Sequence, residues 1–247
     1  MATSQIFTFG DKSEKSRRKD FFSFFKKWPI PDEEFFLNLG LFLTPQTLSR
    51  ILFMDFLYRQ ILEVQGVVME FGCRWGQNLS LFMALRGIYE PFNRLRKIVG
   101  FDTFEGFPRT SLQDGETLSA GMYSVTPNYE EYLDQILRFQ EQESPLAHLP
   151  KYELVKGDAS SRIHEYLEKH PETIVALVYF DMDIFKPTRD CLLAIKDRLP
   201  RGGVIGFDEL NDPLCPGETL ALKEVFGLEN MAIRRFPHNS RTSYVIL

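Results

Sequence analysis

Short apolar runs and longer amphipathic runs alternate along the chain from residue 66 onward, at lengths that suit strands and helices in turn. Residues 67–69 are an apolar run of buried-strand length. Residues 78–89 repeat at helical spacing, and 98–101 are a second short apolar run. The alternation resumes with strands predicted at 152–155, 174–180 and 204–207, and helices at 162–170, 188–199 and 219–226. The 174–180 run is apolar throughout, as in a central parallel strand. This repetition predicts an α/β domain built on a parallel sheet. Two final runs, 232–236 and 244–247, are joined by Pro237-His238-Asn239-Ser240-Arg241. Only antiparallel strands can be joined by so short a connection.

The flanking segments read differently. Residues 32–65 are predicted mostly helical, with Thr44 as cap and Pro45 at the first helical position. Leu48, Ile51, Leu52, Phe56, Ile61 and Leu62 form an apolar face at helical spacing. Such a helix can lie over the open side of a ligand pocket. Residues 1–30 mix basic and aromatic side chains, among them Arg17, Arg18, Lys19, Phe21, Phe22, Phe24, Phe25 and Trp28. They read either as a membrane-surface helix or as an arm packing its phenylalanines on the body or on a second subunit. The second reading is preferred, because the aromatic segment is short. The expected domains are therefore an N-terminal helical extension, 1–65, covering the pocket or a subunit interface, and a main domain, 66–247. Within the latter, 109–150 is polar and rich in glycine and proline, with a single helix candidate at 129–143. A long insertion of this kind is usually functional, often a lid. Tyr123, Tyr129 and Tyr132 could then face a polar substrate; a solvated connecting helix is the alternative.

Charge and composition narrow the classes. With a net charge of −5, the chain lacks the basic face that nucleic-acid binding needs. No apolar run is long enough to span a membrane, and the first residues lack an apolar signal core. Cys73, Cys191 and Cys215 are odd in number and show no paired spacing. A reduced, cytoplasmic protein is the simple reading.

The candidate chemistry sits at strand ends. After the first strand comes Glu70-Phe71-Gly72-Cys73-Arg74-Trp75-Gly76, and the second ends in Asp102. Glycines admit positive φ and close backbone approach, the following helix start offers unpaired N–H groups, and an acid at the second strand end can accept from both ribose hydroxyls. The spacing is not that of dinucleotide binders, since Arg74 replaces a middle glycine. That favours a ligand without a pyrophosphate, such as S-adenosylmethionine (SAM); a glycine-rich turn with no ligand is the alternative. Five successive strands are predicted to end in acids: Glu70, Asp102, Asp158, Asp181 and Asp208. Like charges converging on one crevice repel, so donors or a cation must offset them. Asp181, Asp183, Asp208 and Glu209 are hard oxygen ligands that suit Mg²⁺; the alternative makes Asp183 and Glu209 helix caps. Lys186 and Arg189 can hold a phosphate or pair with neighbouring acids, and His238 sits in the last turn as a further candidate.

These residues carry a resemblance. The Glu70–Gly76 run, the run Gly-Phe-Asp-Thr-Phe-Glu-Gly-Phe-Pro at 100–108, Gly157-Asp158, Asp181-Met182-Asp183 with Thr188, and Gly202-Gly203 with Asp208-Glu209 resemble class I SAM-dependent methyltransferases of the macrocin O-methyltransferase family. Within it they look like the 3-O-methyltransferases of TDP-deoxysugars such as TDP-rhamnose. The resemblance covers residues from about Leu39 to the end. It implies a Rossmann-like fold: a seven-stranded, mostly parallel sheet with helices on both faces and an antiparallel last strand. It implies SAM at Glu70, Gly72, Arg74, Gly76, Thr103 and Asp181, with ribose on Asp102 and adenine by Asp158 and Ala159. It implies Mg²⁺ on Asp181, Asp208 and Glu209, with Asp183 as general base. A sugar or nucleotide-sugar acceptor and a homo-oligomer are implied as well. This chain departs from the family in having Met182 where glycine is usual and Glu209 where aspartate is usual. Two other readings are different chemistry on the same fold, as in hydroxylase-labelled relatives, and a catalytically silent binding protein.

Overall fold

A computed structural model of the chain describes residues 10–229 and 231–247. What was expected of residues 1–9 lies outside the described residues. The predicted alternation becomes a seven-stranded sheet: β1 (Val67–Phe71), β2 (Ile98–Asp102), β3 (Tyr152–Lys156), β4 (Val175–Phe180), β5 (Val204–Phe207), β6 (Arg234–Arg235) and β7 (Ser243–Ile246). The order is β3-β2-β1-β4-β5-β7-β6. The first five strands run parallel, and β7 runs antiparallel to both β5 and β6. β1 lies between β2 and β4, so the strand order reverses there. Such a switch point opens a crevice at the carboxyl ends of the strands.

The described residues form seven α-helices: α1 (Lys12–Lys26), α2 (Pro45–Gln60), α3 (Gln77–Tyr89), α4 (Tyr129–Gln142), α5 (Ala159–Lys169), α6 (Phe185–Ile195) and α7 (Gly217–Phe226). α5, α6 and α7 pack on one face and α2, α3 and α4 on the other, giving two apolar layers. Under the crevice, Phe101, Phe71, Phe180 and Phe207 stack ring on ring across four adjacent strands, at 4.7, 5.2 and 5.4 Å between centroids. This aromatic row gives the site a stiff floor.

Three expectations change. The buried face of α2 is Ser49, Phe53, Met54, Leu57 and Tyr58, while Leu48 and Leu52 are exposed. Apolar residues run almost all round this helix, so periodicity alone could not choose the face. Residues 32–43 are not α-helix but two 3-10 turns, Asp32–Glu34 and Phe36–Phe42. The aromatic residues of α1, and Trp28 just after it, pack on these turns, with Phe25 5.0 Å from Phe42 and Trp28 4.1 Å from Phe35. α1 itself buries no residue. α5 and α6 begin three residues before the predicted positions; for α5 the reason is the Asp158 side chain, which accepts from Ser160 N. No helix among the described residues is long and apolar enough to cross a membrane.

Candidate active site

The loop after β1 is built from left-handed backbone. Gly72 (φ 90°), Arg74 (φ 48°) and Gly76 (φ 74°) all have positive φ. Gly72 has a second constraint: a Cβ there would lie 2.0 Å from the Asp181 carbonyl oxygen, so the ends of β1 and β4 meet without room for a methyl group. Arg74 adopts the conformation expected of the glycine it replaces, and its amide donates to Asp102 Oδ2 at 2.7 Å. Phe104 N donates to Asp102 Oδ1 at 2.5 Å. Burial nevertheless pushes the Asp102 carboxyl above its ordinary value, against the pull of these amides.

A cavity of about 350 Å³ opens here, within the range of small-molecule sites. Gly72, Arg74, Asp102, Thr103, Asp158, Ala159 and Asp181 line it; Glu70 and Gly76 do not. Glu70 is not a strand-end acid. It is the fourth residue of β1, fully buried, with neither carboxylate oxygen in a hydrogen bond. Burial pushes its carboxyl up to about 8.

The opposite wall brings Asp181, Asp183, Asp208 and Glu209 together. Arg50, from α2, reaches between two of them, at 2.6 Å from Asp208 Oδ1 and 3.5 Å from Asp181 Oδ2. It also donates to the Tyr179 hydroxyl at 3.0 Å, and that hydroxyl donates to Asp208 Oδ1 at 2.8 Å. Glu209 Oε2 accepts from Arg241 at 3.0 Å, while Oε1 is buried without a partner. Burial raises the Glu209 carboxyl; Arg241 and Arg50 oppose it. Asp183, Glu209 and Cys215 each place one ligand atom within 4.8 Å of the others. The four acids thus divide into an Arg50-bridged pair, Asp181 and Asp208, and a pair at Cys215, Asp183 and Glu209. Arg50, Tyr179, Arg241 and Cys215 were not predicted for the site.

Asp183 has its own distinction. Its φ is 59°, and Ile184 N donates to Met182 O at 2.6 Å across it. A three-residue turn with positive φ at the centre is the rare, strained form of γ-turn. Neither Asp183 nor Glu209 is a helix cap. The cap positions of α6 and α7 are Ile184 and Pro216, and neither carries a side-chain cap bond.

The remaining candidates separate clearly. Tyr123, in the insertion, lines the cavity with φ 63°, and the Arg74 guanidinium lies 4.9 Å from its ring centre. Tyr129 donates to Trp75 O at 3.0 Å, and Tyr132 is exposed. Lys186 and Arg189 pair with Asp190 and lie outside the cavity lining. His238 packs its ring on Phe236 at 5.2 Å and does not line the cavity either.

No known family model matches the chain, and no curated protein sequence does. Solved structures do. A structure of CalS11, described as a calicheamicin methyltransferase, superposes with TM-score 0.93 at 39% identity, covering 100% of this chain and 98% of its own. An apo structure of CalS11, described as a TDP-rhamnose 3'-O-methyltransferase of calicheamicin biosynthesis, gives 0.86 and 38%, covering 97% and 96%. The O-methyltransferase NovP gives 0.57 at 16% identity, covering 80% of this chain and 79% of its own. That likeness concerns the fold alone.

Proposed function

The chain belongs to the family of class I SAM-dependent O-methyltransferases that includes CalS11, and from that premise we propose that it methylates a hydroxyl of a nucleotide-linked deoxysugar. In this reading the loop from Gly72 to Gly76 would hold SAM, Asp102 would accept from its ribose hydroxyls, and Asp158 and Ala159 would flank its adenine. Asp183 is the general base. Its carboxylate takes the acceptor's hydroxyl proton, the oxygen bonds to the SAM methyl carbon, and the carbon–sulfur bond breaks with its electron pair going to sulfur. The products are a methyl ether and S-adenosylhomocysteine. The observation that carries this reading is the strained turn that sets Asp183 on the cavity wall opposite the Asp102 side. Strain of this kind persists where the surroundings enforce it, and it gathers at functional sites.

Mg²⁺ on Asp181, Asp208 and Glu209 would have to displace the Arg50 guanidinium from between the two aspartates. Asp181, Asp208 and Glu209 are hard oxygen ligands, and one buried Glu209 oxygen has no other partner. When bound there, Mg²⁺ would lower the pKa of a chelated sugar hydroxyl. Arg50 lies between Asp181 and Asp208 and offsets their mutual repulsion. Arg241 does the same for Glu209 and Asp212, at 3.0 and 3.2 Å. A dimer or larger assembly would cover the exposed Phe36, Leu37 and Leu41 beside α1; sedimentation as a monomer would remove that part of the reading.

The test is methyl transfer from SAM to a panel of TDP-deoxysugars, with and without Mg²⁺. We expect one of them to be methylated, EDTA to stop the reaction and Mg²⁺ to restore it. Asp183→Asn should bind SAM normally and lose at least about 100-fold in turnover. Transfer only to an intact glycoside would move the acceptor from nucleotide sugar to finished product. Full turnover after chelation would leave Arg50 and Arg241 as the cations the cluster uses.

A further inference from the structure

We propose that Glu218 and Asp114 are positioning residues for the reaction: together they clamp the backbone turn that presents Asp183. The proposal rests on the reading of Asp183 as the base.

The two carboxylates come from distant parts of the chain and meet the turn on both sides. Glu218 lies in the first turn of α7, and its Oε1 accepts from Met182 N at 3.0 Å. Asp114 lies at the end of a short 3-10 turn (Leu112–Asp114) in the insertion, and its Oδ1 accepts from Phe185 N at 2.6 Å. Met182 precedes Asp183, and Phe185 follows it by two. The bracket between them contains the γ-turn bond from Ile184 N to Met182 O.

Packing makes the bracket tight. α7 begins at Gly217, where a Cβ would lie 2.4 Å from the Asp183 carbonyl oxygen and 2.5 Å from Phe185 N. The start of α7 therefore rests directly on the backbone of the turn. Thr188 Oγ1 donates to Ile184 O at 2.8 Å and holds the next residue from below.

The chemistry is costly for a purely structural bond. Both carboxyl groups are buried, Glu218 fully and Asp114 to 2% exposure. Glu218 Oε2 has no partner at all. For Glu218, a buried carboxyl is an expensive way to satisfy one amide. Neither residue lines the cavity, so neither touches substrate; both act through the backbone at Asp183. Asp114 also links the insertion to the base: its Oδ2 accepts from Ser111 N at 2.5 Å and Ser111 Oγ at 2.9 Å. The segment that carries Tyr123 over the cavity and the turn that presents Asp183 are one hydrogen-bonded unit.

The experiment compares Glu218→Gln, Glu218→Leu, Asp114→Asn and Asp183→Asn, reading kcat, acceptor KM, SAM affinity by calorimetry and the thermal midpoint. Glutamine keeps a carbonyl oxygen for Met182 N, so Glu218→Gln should retain most of the turnover. Glu218→Leu removes the acceptor and should lose kcat on the order of 100-fold, the scale of a small misplacement of a reacting group. Its SAM affinity should not change. In Asp114→Asn one amide N–H must oppose a backbone N–H, so kcat should fall there too. Should Glu218→Leu fail to fold, Asp114→Asn carries the same test. Wild-type kcat in Glu218→Leu and Asp114→Asn, with Asp183→Asn inactive, would overturn the clamp and leave the base standing. So would loss of SAM affinity in step with kcat, because the role would then be structural. An active Asp183→Asn would instead remove the base reading, and the clamp with it.

Discussion

Glu70 enters the sheet as the fourth residue of β1 and finds no hydrogen-bond partner there for either carboxylate oxygen. Its burial has a consequence for stability. The folded state holds the Glu70 proton up to about 8, whereas an exposed glutamate releases it near 4.5. Between those values the native state binds more protons than the unfolded chain, so stability falls as pH rises through that window. Below it this contribution is fully present. Urea titrations of the ligand-free protein from pH 4.5 to 8 should show the decline, and Glu70→Gln should make it shallower, the raised Asp102 and Glu209 carboxyls supplying the remainder. A slope unchanged by that substitution would place the titrating group elsewhere. The same residue marks a limit of reading by pattern. A carboxylate before a glycine loop looks like a strand-end ligand, and only the strand's true length, ending at Phe71, put it beneath the loop. Asp102 carries the same kind of group one strand over, at the end of β2, and lines the cavity.

At the level of the elements, β1 and β4 end so close together that Gly72 cannot carry a side chain. Gly72→Ala combines a φ of 90° with contact to the Asp181 backbone. It should cost about 2–4 kcal/mol by urea unfolding and lower SAM affinity, whereas Gly121→Ala, with open space around it, should cost much less. Equal losses at the two glycines would mean that backbone freedom, and not the meeting of the strands, is what matters. The sheet and its order of helices were legible because strand and helix periods differ and because acids and glycines punctuate the strand ends. The alignment of Asp181, Asp183, Asp208 and Glu209 on one wall followed from that. Their partners did not. Arg50, Asp114, Glu218 and Arg241 reach the site from four separate segments, and no local spacing records which distant side chain will meet which backbone amide. The buried face of α2 was misread for a related reason: with Ile51, Leu52, Phe53, Met54, Phe56 and Leu57 nearly continuous, both stripes are apolar. Contact with α3 and β5 chooses between them.

Across the whole molecule, buried cations bind the layers. Arg96 is 1% exposed and donates to the carbonyls of Ile61, Val64 and Gly66, with Glu90 as its counter-ion. It ties the end of α2 to the start of β1, and so fixes the helix that carries Arg50 to the site. Arg86 and Lys151 share Glu141 in the same way, joining α3, α4 and the start of β3. The three cysteines sit in three different parts of this framework, all free and all buried. Cys191 lies in the core layer of α6 at 0% exposure. Cys215 lies under the insertion, against Leu118, Met122 and Ile184. Cys73 lines the cavity in the loop after β1. Burial holds all three thiols above their ordinary pKa, so none reacts until its cover is lifted. The chain thus carries three natural clocks. Alkylation followed by mass spectrometry should resolve them: Cys215 marked first, at the rate the insertion lifts; Cys73 slowed by SAM; Cys191 only when the whole domain opens. One shared rate for all three would mean that the domain opens only as a unit.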